Sequence, residues 1–346
     1  MISIYLTAFF VALASSFLFV PLSIKIARRF GVMDAPDPRK VHAAPVPRWG
    51  GLGIALSFLA ALLICYLVFP RFEQLLAYKY RISNGKIISL LEQFWGIILG
   101  SLFVLILGMK DDKTPISAKV KLPLQIIASY VAMDYGVRLS GITLPFSDHY
   151  TGFPLIASQA VTVLWLTGFM NTVNLVDGLD GLAGGICAIA AGTFLVVAIL
   201  QGQSQIAVFA KQLKLSGVLS AALCGSCIGF LWFNFHPAKV FMGDGGALFL
   251  GFMLGTITVT GTLKTTAFFS LIIPIVVVAL PVLDVAVSIV RRWRNGGQIF
   301  TADAGHLHHQ LLRHGWSHRE TVLGIYVATL ILSLFSILLT VFKGKV

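Results

Sequence analysis

Apolar residues fill most of the chain in long runs that short polar segments interrupt. Each run approaches the ~20 residues with which an α-helix crosses a hydrocarbon core about 30 Å thick. The pattern predicts ten membrane-spanning helices, at residues 2–24, 50–69, 93–109, 119–136, 155–173, 182–201, 216–235, 246–263, 267–290 and 321–342. In the polar segment 138–153, β-forming side chains alternate around Gly141 and Pro145, which predicts a small outer β-hairpin.

The composition is that of an all-α polytopic integral membrane protein. Of 346 residues, 57% are hydrophobic and 12% are charged, whereas soluble domains carry about 25% charged residues. Since apolar runs recur along the whole length, residues 1–346 are predicted to form one transmembrane domain. All four cysteines lie in apolar runs, which favours packing over a disulfide framework; a metal or redox role for Cys224 and Cys227 is the less favoured alternative.

The net charge of +12 is spread over short loops, which is typical of cytoplasmic loop anchoring and not of a nucleic-acid-binding face. With the N-terminus outside, the cytoplasmic segments are 25–49, 110–121, 171–180, 236–244 and 291–320. They carry sixteen of the 26 Lys and Arg residues and nine of the 14 acidic residues. The reactive groups are therefore expected at the cytoplasmic face of the inner (plasma) membrane.

Two adjacent carboxylates, Asp111 and Asp112, lie between Lys110 and Lys113, where the third predicted span meets the cytosol. Adjacent acids persist most easily beside a cation, or when one of them accepts a proton. The pair is therefore a candidate for proton transfer or cation binding. The alternative is a solvated helix end with snorkelling lysines.

A second polar cluster lies between the fifth and sixth predicted spans and has no basic residue near it. It contains Asn171, Asn174, Asp177 and Asp180, followed by several glycines. Unpaired carboxylates at membrane depth are costly, and a divalent cation would compensate them. If this segment is helical, Asp177 and Asp180 share a face. A polar hinge or an ion pathway between helices is the alternative.

The third cluster, residues 234–246, combines an aromatic residue, a carboxylate and a Gly-rich turn before an apolar helix. These are the parts of a nucleotide diphosphate site. Phe241 would stack on a base, Asp244 would hold Mg²⁺ against phosphate oxygens, and the N–H groups of the turn would face phosphate. A plain interhelical turn explains the glycines but not the carboxylate.

Two basic segments complete the same predicted face. His306, His308 and His309 follow three arginines and can donate to phosphate or sugar hydroxyls. They lack the spacing of a zincin helix, which makes a zinc site the less favoured alternative. A merely exposed polar loop is the other alternative. Arg39, Lys40 and Arg48 form a basic loop that suits an anionic lipid headgroup, or serves as ordinary positive-inside anchoring. Asp284, inside the ninth span, is expected to pair within the bundle.

In this order, the motifs resemble those of the polyprenyl-phosphate N-acetylhexosamine-1-phosphate transferase superfamily. They are G-x-x-D-D, N-x-V-N-L-x-D-G-L-D-G-L-A, N-F-H-P-A-K-x-F-M-G-D and G-H-L-H-H. Each is most similar to the bacterial GlcNAc-1-phosphate branch; the branch that transfers phospho-MurNAc-pentapeptide is the alternative. The resemblance implies a catalytic bundle of ten or eleven helices with a groove open to the cytosol.

The resemblance also implies roles for the motif residues. Asp111 and Asp112 would serve the lipid phosphate, as base or metal ligands. Asn174, Asp177 and Asp244 would belong to a Mg²⁺ site, which Mn²⁺ can also fill, with Asp177 among the catalytic residues. Asp180 would recognise the uracil edge, and Phe241 would stack on its ring. The residues that would hold diphosphate, sugar and lipid headgroup are His306, His308, His309, Arg39, Lys40 and Arg48.

The implied reaction transfers GlcNAc-1-phosphate from its UDP-sugar to undecaprenyl phosphate, releases UMP and starts a cell-envelope polysaccharide. The expected partners are these two substrates and the membrane, with a homodimer as an option. Two other classes stay open at this point. A secondary transporter would place its acids near mid-membrane and not at span ends. A membrane metallohydrolase would use the histidines with zinc.

Overall fold

Nine of the ten predicted spans coincide with helices in the computed structural model, which describes residues 1–35, 44–82, 85–143, 150–202, 207–261 and 315–343. The ninth predicted span, 267–290 with Asp284, lies outside these ranges. The described helices are α1 (Ile2–Arg29), α2 (Gly50–Val68), α3 (Pro70–Leu76), α4 (Leu90–Lys113), α5 (Ala118–Asp134), α6 (Leu155–Val176), α7 (Leu182–Gln201), α8 (Ala207–Asn234), α9 (Gly243–Thr260) and α10 (His318–Lys343).

Eight of the described helices are long and apolar enough to cross a membrane. The chain is therefore an all-α, multi-pass membrane protein, as the apolar pattern predicts. The short helix α3 was not expected from the sequence. Helix α5, the predicted fourth span, has 17 residues and carries Lys119 and Lys121 near its start, so it falls short of the other eight in length and apolar character.

Three of the acids singled out from the sequence lie inside helix ends, not in the loops between helices. Helix α4 begins at the capping box of Ser89 and Glu92 and continues to Lys113, so Asp111 and Asp112 belong to its last turn. Helix α9 begins three residues earlier than the apolar pattern indicates, at Gly243, and places Asp244 in its first turn. A helix end fixes a side chain more firmly than a loop, which makes both positions well defined.

Within the described ranges, three two-stranded antiparallel hairpins lie between helices. The hairpin predicted in segment 138–153 is confirmed as β5 (Gly141–Thr143) and β6 (Tyr150–Gly152), with Gly141 opposite Gly152, while its outer location stays a prediction. The pattern did not predict β1 (Met33–Asp34) with β2 (Val46–Pro47), or β3 (Lys79–Arg81) with β4 (Ile87–Ser89). Strands of two or three residues are too short to show alternation.

Helix α9 forms the centre of the bundle. Its residues from Gly245 to Thr260 are all buried, and it packs against α2, α4, α6 and α8. Large apolar side chains on α1 and α10, such as Phe10 and Leu330, are exposed and face outward as lipid-contacting side chains do. Apolar side chains therefore serve both the interior and the lipid surface.

Helix ends from distant parts of the sequence meet at one end of the bundle. The C-terminal ends of α4, α6 and α8 meet the N-terminal ends of α5, α7, α9 and α10 through the contacts described below. The β3–β4 and β5–β6 hairpins precede α4 and α6 and therefore lie at the opposite ends of these helices. Residues that are far apart in the sequence thus share one end of the bundle.

Candidate active site

Lys121 joins two of the predicted acidic clusters. Its ammonium group lies 2.7 Å from an oxygen of Asp111 and also forms an ion pair with Asp244. The other oxygen of Asp111 accepts the backbone N–H of Ile116 at 2.6 Å. The side chains of Lys121 and Asp111 are only 14% and 10% exposed, so water screens this pair little. The end of α4, the start of α5 and the start of α9 therefore converge on one cation.

Asp112 has a different environment from its neighbour. Its two carboxylate oxygens accept the backbone N–H groups of Asp244 at 2.9 Å and Gly245 at 3.3 Å. These N–H groups belong to the first turn of α9, where no partner within the helix is available. Asp112 thus caps a helix that is distant in the sequence. Gly243, just before these groups, has φ of +72°, a conformation that favours glycine.

Arg48 approaches the same carboxylate from the β1–β2 hairpin. Its guanidinium Nε is 3.6 Å from Asp112, and one of its terminal nitrogens is 3.6 Å from Asp34. Backbone hydrogen bonds tie this segment to the third motif: Phe241 donates to Pro47 at 2.8 Å, and Gly50 donates to Phe241 at 2.9 Å. Arg48 is therefore held at the cluster by the backbone on both sides.

The second motif supplies an amide and a carboxylate from the end of α6. Asn174 donates to Asp244 at 3.0 Å. Burial raises the pKa of Asp177 to about 7, and the negative charges of Asp244 and Asp112 add to this shift. Asn171 lies apart from the cluster, since its amide donates to Gln125 at 2.7 Å. The acids that contact or influence one another thus come from α4, α6 and α9.

Asp180 belongs to a separate group next to these acids, which it forms with His236 and His318. It lies with Asp177 in the turn between α6 and α7, so this segment is not helical and the condition for a shared helical face is not met. One oxygen of Asp180 accepts from Nδ1 of His236 at 2.8 Å and from the N–H of Ala238 at 3.1 Å. His318 stacks on His236, with ring centroids 4.3 Å apart and planes inclined by 21°.

The group of Asp180, His236 and His318 resembles a metal site only in the distances between its ligand atoms. Ligand atoms of Asp180, His236 and His318 lie within 4.8 Å of one another. A metal ion binds an imidazole in the plane of its ring, and two nearly parallel stacked rings have no common plane. The facing oxygen of Asp180 is also already engaged by two donors. The arrangement fits a hydrogen-bonded, stacked group better than a metal centre.

The structure brings together a large part of the predicted site. Five predicted residues form one connected group with Lys121, namely Asp111, Asp112, Asn174, Asp244 and Arg48. Phe241 is partly exposed and joined to this group through the backbone. Five further predicted residues, Arg39, Lys40, His306, His308 and His309, lie outside the described residues.

Two residues at these clusters were missed from the sequence. Lys121 was assigned to a membrane span, although a lysine two residues after Lys119 in the first turn of that helix was a usable signal. His318 was passed over because it is a single histidine before an apolar run, without neighbouring motif residues. Its stacking partner is 82 positions away, and no local pattern indicates such a contact.

The arrangement can bind both cations and anions. Among the described residues, four carboxylates and an amide converge with two cationic side chains, Lys121 and Arg48. When all four carboxylates are ionised, two negative charges remain uncompensated by these side chains. Oxygen donors with excess negative charge suit a hard divalent cation, and the two basic groups suit phosphate oxygens.

The chain is similar to known proteins over most of its length. The profile of glycosyl transferase family 4 matches residues 94–262. A Bacillus subtilis protein, named probable undecaprenyl-phosphate N-acetylglucosaminyl 1-phosphate transferase, is 36% identical over 96% of this chain and 84% of its own length.

Two further relatives are more distant. A decaprenyl-phosphate N-acetylglucosaminephosphotransferase of Mycolicibacterium smegmatis is 34% identical over 87% of this chain and 74% of its own. A phospho-N-acetylmuramoyl-pentapeptide-transferase of Bacillus subtilis is 32% identical over 94% of both chains. Similarity thus extends to both branches that the motifs resemble, and is higher for the N-acetylglucosamine branch.

Proposed function

Because the chain belongs to glycosyl transferase family 4, we propose that it is a membrane phosphotransferase that moves GlcNAc-1-phosphate from UDP-GlcNAc to undecaprenyl phosphate. The products are UMP and undecaprenyl diphosphate-GlcNAc, the lipid on which a cell-envelope polysaccharide is started. The names of the two N-acetylglucosamine relatives support the sugar and the polyprenyl acceptor. Pentapeptide transfer to the same lipid is the alternative, favoured less because those relatives are less similar.

The observation that carries this proposal is the meeting of Asp111, Lys121 and Asp244 at one end of the bundle. A reaction between two phosphates must bring two anions together, and catalysis rests on positioning and charge stabilisation. Carboxylates that can hold a divalent cation, beside basic groups that can hold phosphate oxygens, supply both. A secondary transporter would instead place these acids near the middle of its helices.

The donor set fits Mg²⁺. The carboxylates of Asp111 and Asp244 already converge on one positive charge, the ammonium group of Lys121, and Asn174 adds an amide beside Asp244. Oxygen donors of this kind are those that Mg²⁺ prefers. We assign Asp244 and Asn174 to hold the ion, with Asp177 beside them. When bound, Mg²⁺ supplies charge neutralisation on the diphosphate.

The chain's own residues would act on both substrates. An oxygen of undecaprenyl phosphate attacks the sugar-bearing phosphorus of UDP-GlcNAc and forms a new P–O bond. The bond between this phosphorus and the bridging oxygen of the diphosphate breaks, and UMP leaves with that oxygen. A phosphate monoester is already anionic near neutral pH, so no strong base is required. Lys121 is placed to hold phosphate oxygens during the exchange, and Arg48, with the basic segment of Arg39 and Lys40, to hold the lipid headgroup.

The two adjacent acids receive separate roles in this proposal. Asp111, which contacts Lys121, acts at the phosphates. Asp112 is bound to backbone N–H groups of α9 and holds Asp244 in place. On the donor side, Phe241 stacks on the uracil ring and Asp180 accepts from its edge. His306, His308 and His309 are assigned to the diphosphate and sugar.

The proposed location is the inner membrane, with the N-terminus outside and the site at the cytoplasmic face, where UDP-sugars are made. Residues 1–346 would act as one catalytic domain, and a homodimer remains a prediction. The distribution of Lys and Arg supports this orientation, and the helix ends that carry the site support a single catalytic face.

The test is UMP release by the purified protein in detergent. UDP-GlcNAc, undecaprenyl phosphate and Mg²⁺ are supplied together and then omitted singly, with Asp244→Ala as the inactive control. Release that needs all three and is lost in the variant supports the proposal. Release only with UDP-MurNAc-pentapeptide moves the donor to the other branch. Release only with a different UDP-sugar changes the donor, and no release with any UDP-sugar, by folded protein, contradicts the transferase.

A further inference from the structure

The hydrogen bonds that the Asp180 carboxylate accepts from described residues all use one of its two oxygens. The engaged oxygen accepts from Nδ1 of His236 at 2.8 Å and from the backbone N–H of Ala238 at 3.1 Å. The other oxygen has no hydrogen-bond partner within the part of the chain that the structure describes. Since the carboxylate accepts, Nδ1 of His236 carries the hydrogen, and the orientation of Asp180 depends on this donor.

His236 is in turn held by the last described helix. The His318 ring stacks on the His236 ring at a centroid distance of 4.3 Å. Nε2 of His318 lies 3.3 Å from the backbone carbonyl of Asp180, and Arg319 donates to the carbonyl of His236 at 3.2 Å. The first turn of α10 therefore touches both members of the pair.

A second contact fixes α10 against the same turn. The hydroxyl of Tyr326 donates to the carbonyl of Gly181 at 2.5 Å. Its ring lies against Gly185, where a Cβ atom would be 1.9 Å from the Tyr326 ring carbon Cζ and from its hydroxyl oxygen. The close fit is possible only because residue 185 has no side chain. Helix α10 thus contacts the turn that contains Asp180 at two positions, His318 and Tyr326.

We propose that His236 is a positioning residue for nucleobase recognition: it binds one oxygen of Asp180 and so aims the other at the imide N–H of uracil. His318 completes the device by stacking on His236 from α10. This inference rests on the proposed function, in which Asp180 meets the uracil edge. Uracil carries a hydrogen at N3 and cytosine does not, so the device favours uridine over cytidine nucleotides.

The experiment compares UDP with CDP as inhibitors of UMP release from UDP-GlcNAc, in the wild type, His236→Ala and His236→Asn. Asparagine is the informative variant, because its amide can reach the position of Nδ1 and donate the same bond. The wild type is expected to bind UDP more tightly than CDP. Loss of a hydrogen bond to a charged group should reduce this preference about tenfold or more in His236→Ala.

The kinetic constants separate positioning from folding. In His236→Ala, KM for UDP-GlcNAc should rise while KM for undecaprenyl phosphate stays unchanged, and His236→Asn should recover most of the preference for UDP. Glu320→Gln, at an exposed position in the same turn as His318, is the matched control and should leave the preference unchanged. If His236→Ala does not fold, His318→Leu should reduce the preference in the same direction.

Two results would overturn the inference while leaving the transferase intact. One is an unchanged UDP preference in folded His236→Ala or His318→Leu; the other is an Asn variant that recovers no more than Ala. A purely structural role would lower turnover and both affinities together, without a change in the ratio of UDP to CDP. Failure of the wild type to release UMP from any UDP-sugar would instead contradict the proposed function.

Discussion

The carboxylate of Asp112 accepts the backbone N–H of Asp244 at 2.9 Å across 132 positions of sequence. Asp112, from the first motif, therefore holds the start of α9, which carries Asp244 of the third motif. Asp112 is fully buried and also 3.6 Å from Arg48, whereas its neighbour Asp111 contacts Lys121. Two acids that are adjacent in the sequence thus have separable tasks, one in holding α9 and one at the phosphates.

Asp112→Ala should lower stability as well as activity. It leaves the N–H groups of Asp244 and Gly245 without an acceptor, at a cost of about 1–3 kcal/mol. Asp111→Ala leaves one backbone N–H, that of Ile116, without its acceptor, so it should abolish most activity with a smaller effect on unfolding. Thermal unfolding in detergent, measured beside UMP release, distinguishes the two. Asp134→Ala, which breaks an exposed ion pair with Lys86, is the control and should leave unfolding unchanged. Equal unfolding temperatures for Asp111→Ala and Asp112→Ala would contradict the division.

Lys121→Met should reduce turnover by about 10²-fold or more, because it removes a cation from a site where negative charge is transferred. The substitution keeps the length of the side chain. Lys119→Met, on the same turn of α5 but exposed and outside the cluster, is the matched control and should retain activity. Single-turnover measurements with saturating UDP-GlcNAc would test this directly. Comparable activity of the two variants would remove Lys121 from the mechanism.

Activity should disappear with EDTA and return with Mg²⁺, and with Mn²⁺ as a substitute. Asn174→Ala should raise the Mg²⁺ concentration needed for half-maximal rate, because Asn174 lies beside Asp244. Asn171→Ala, whose amide binds Gln125 instead, should not change that concentration. A metal titration of initial rates measures the effect. Identical Mg²⁺ dependence in both variants would argue against Asn174 as part of the metal site.

Gly185→Ala should destabilise the protein by about 1–3 kcal/mol, the usual effect of overpacking. The new methyl group would overlap the Tyr326 ring. Gly168→Ala is the control, since a Cβ there meets nothing within 4 Å and alanine is the better helix former. Tyr326→Ala should relieve much of the Gly185→Ala effect, which makes the double variant non-additive. Additive losses would contradict the contact.

The proposed orientation predicts opposite labelling of two cysteine variants. Lys79→Cys lies on the β3–β4 hairpin and Lys119→Cys at the start of α5, and both positions are exposed. A membrane-impermeant maleimide should modify the first in right-side-out vesicles and the second only in inverted vesicles. The four native cysteines are buried, so their background should be small. The reverse labelling pattern would invert the topology.

The apolar pattern predicted the helices well because length and hydropathy are local properties. It could not place their ends, since the last turn of α4 and the first turn of α9 are polar. Asp111, Asp112 and Asp244 were assigned to loops for this reason, although cross-helix hydrogen bonds allow the helices to continue through them.

The sequence indicated which types of side chain form the site, but not which of them contact one another. Charged residues beside apolar runs marked Asp111 and Asp244, and Lys121 also stands at the start of such a run, but its contact with both acids is not visible in the sequence. Likewise, the spacing of Asp177 and Asp180 suggested a common face, whereas a turn separates them and Asp180 pairs with His236. Contacts between distant segments depend on how the bundle closes, which spacing does not contain.

The enclosure of α9 has a consequence for how the protein is made. With Thr256, Thr258 and Thr260 along it, this helix is less apolar than most of the other spans, and protein surrounds it on every side. A ribosome delivers α1 to α8 to the membrane first, so we expect the neighbours of α9 to be present when this helix emerges. We therefore expect α9 to insert and pack in one step. A variant that lacks an earlier neighbour such as α4 should leave polar residues of α9 unpacked in the membrane and be degraded.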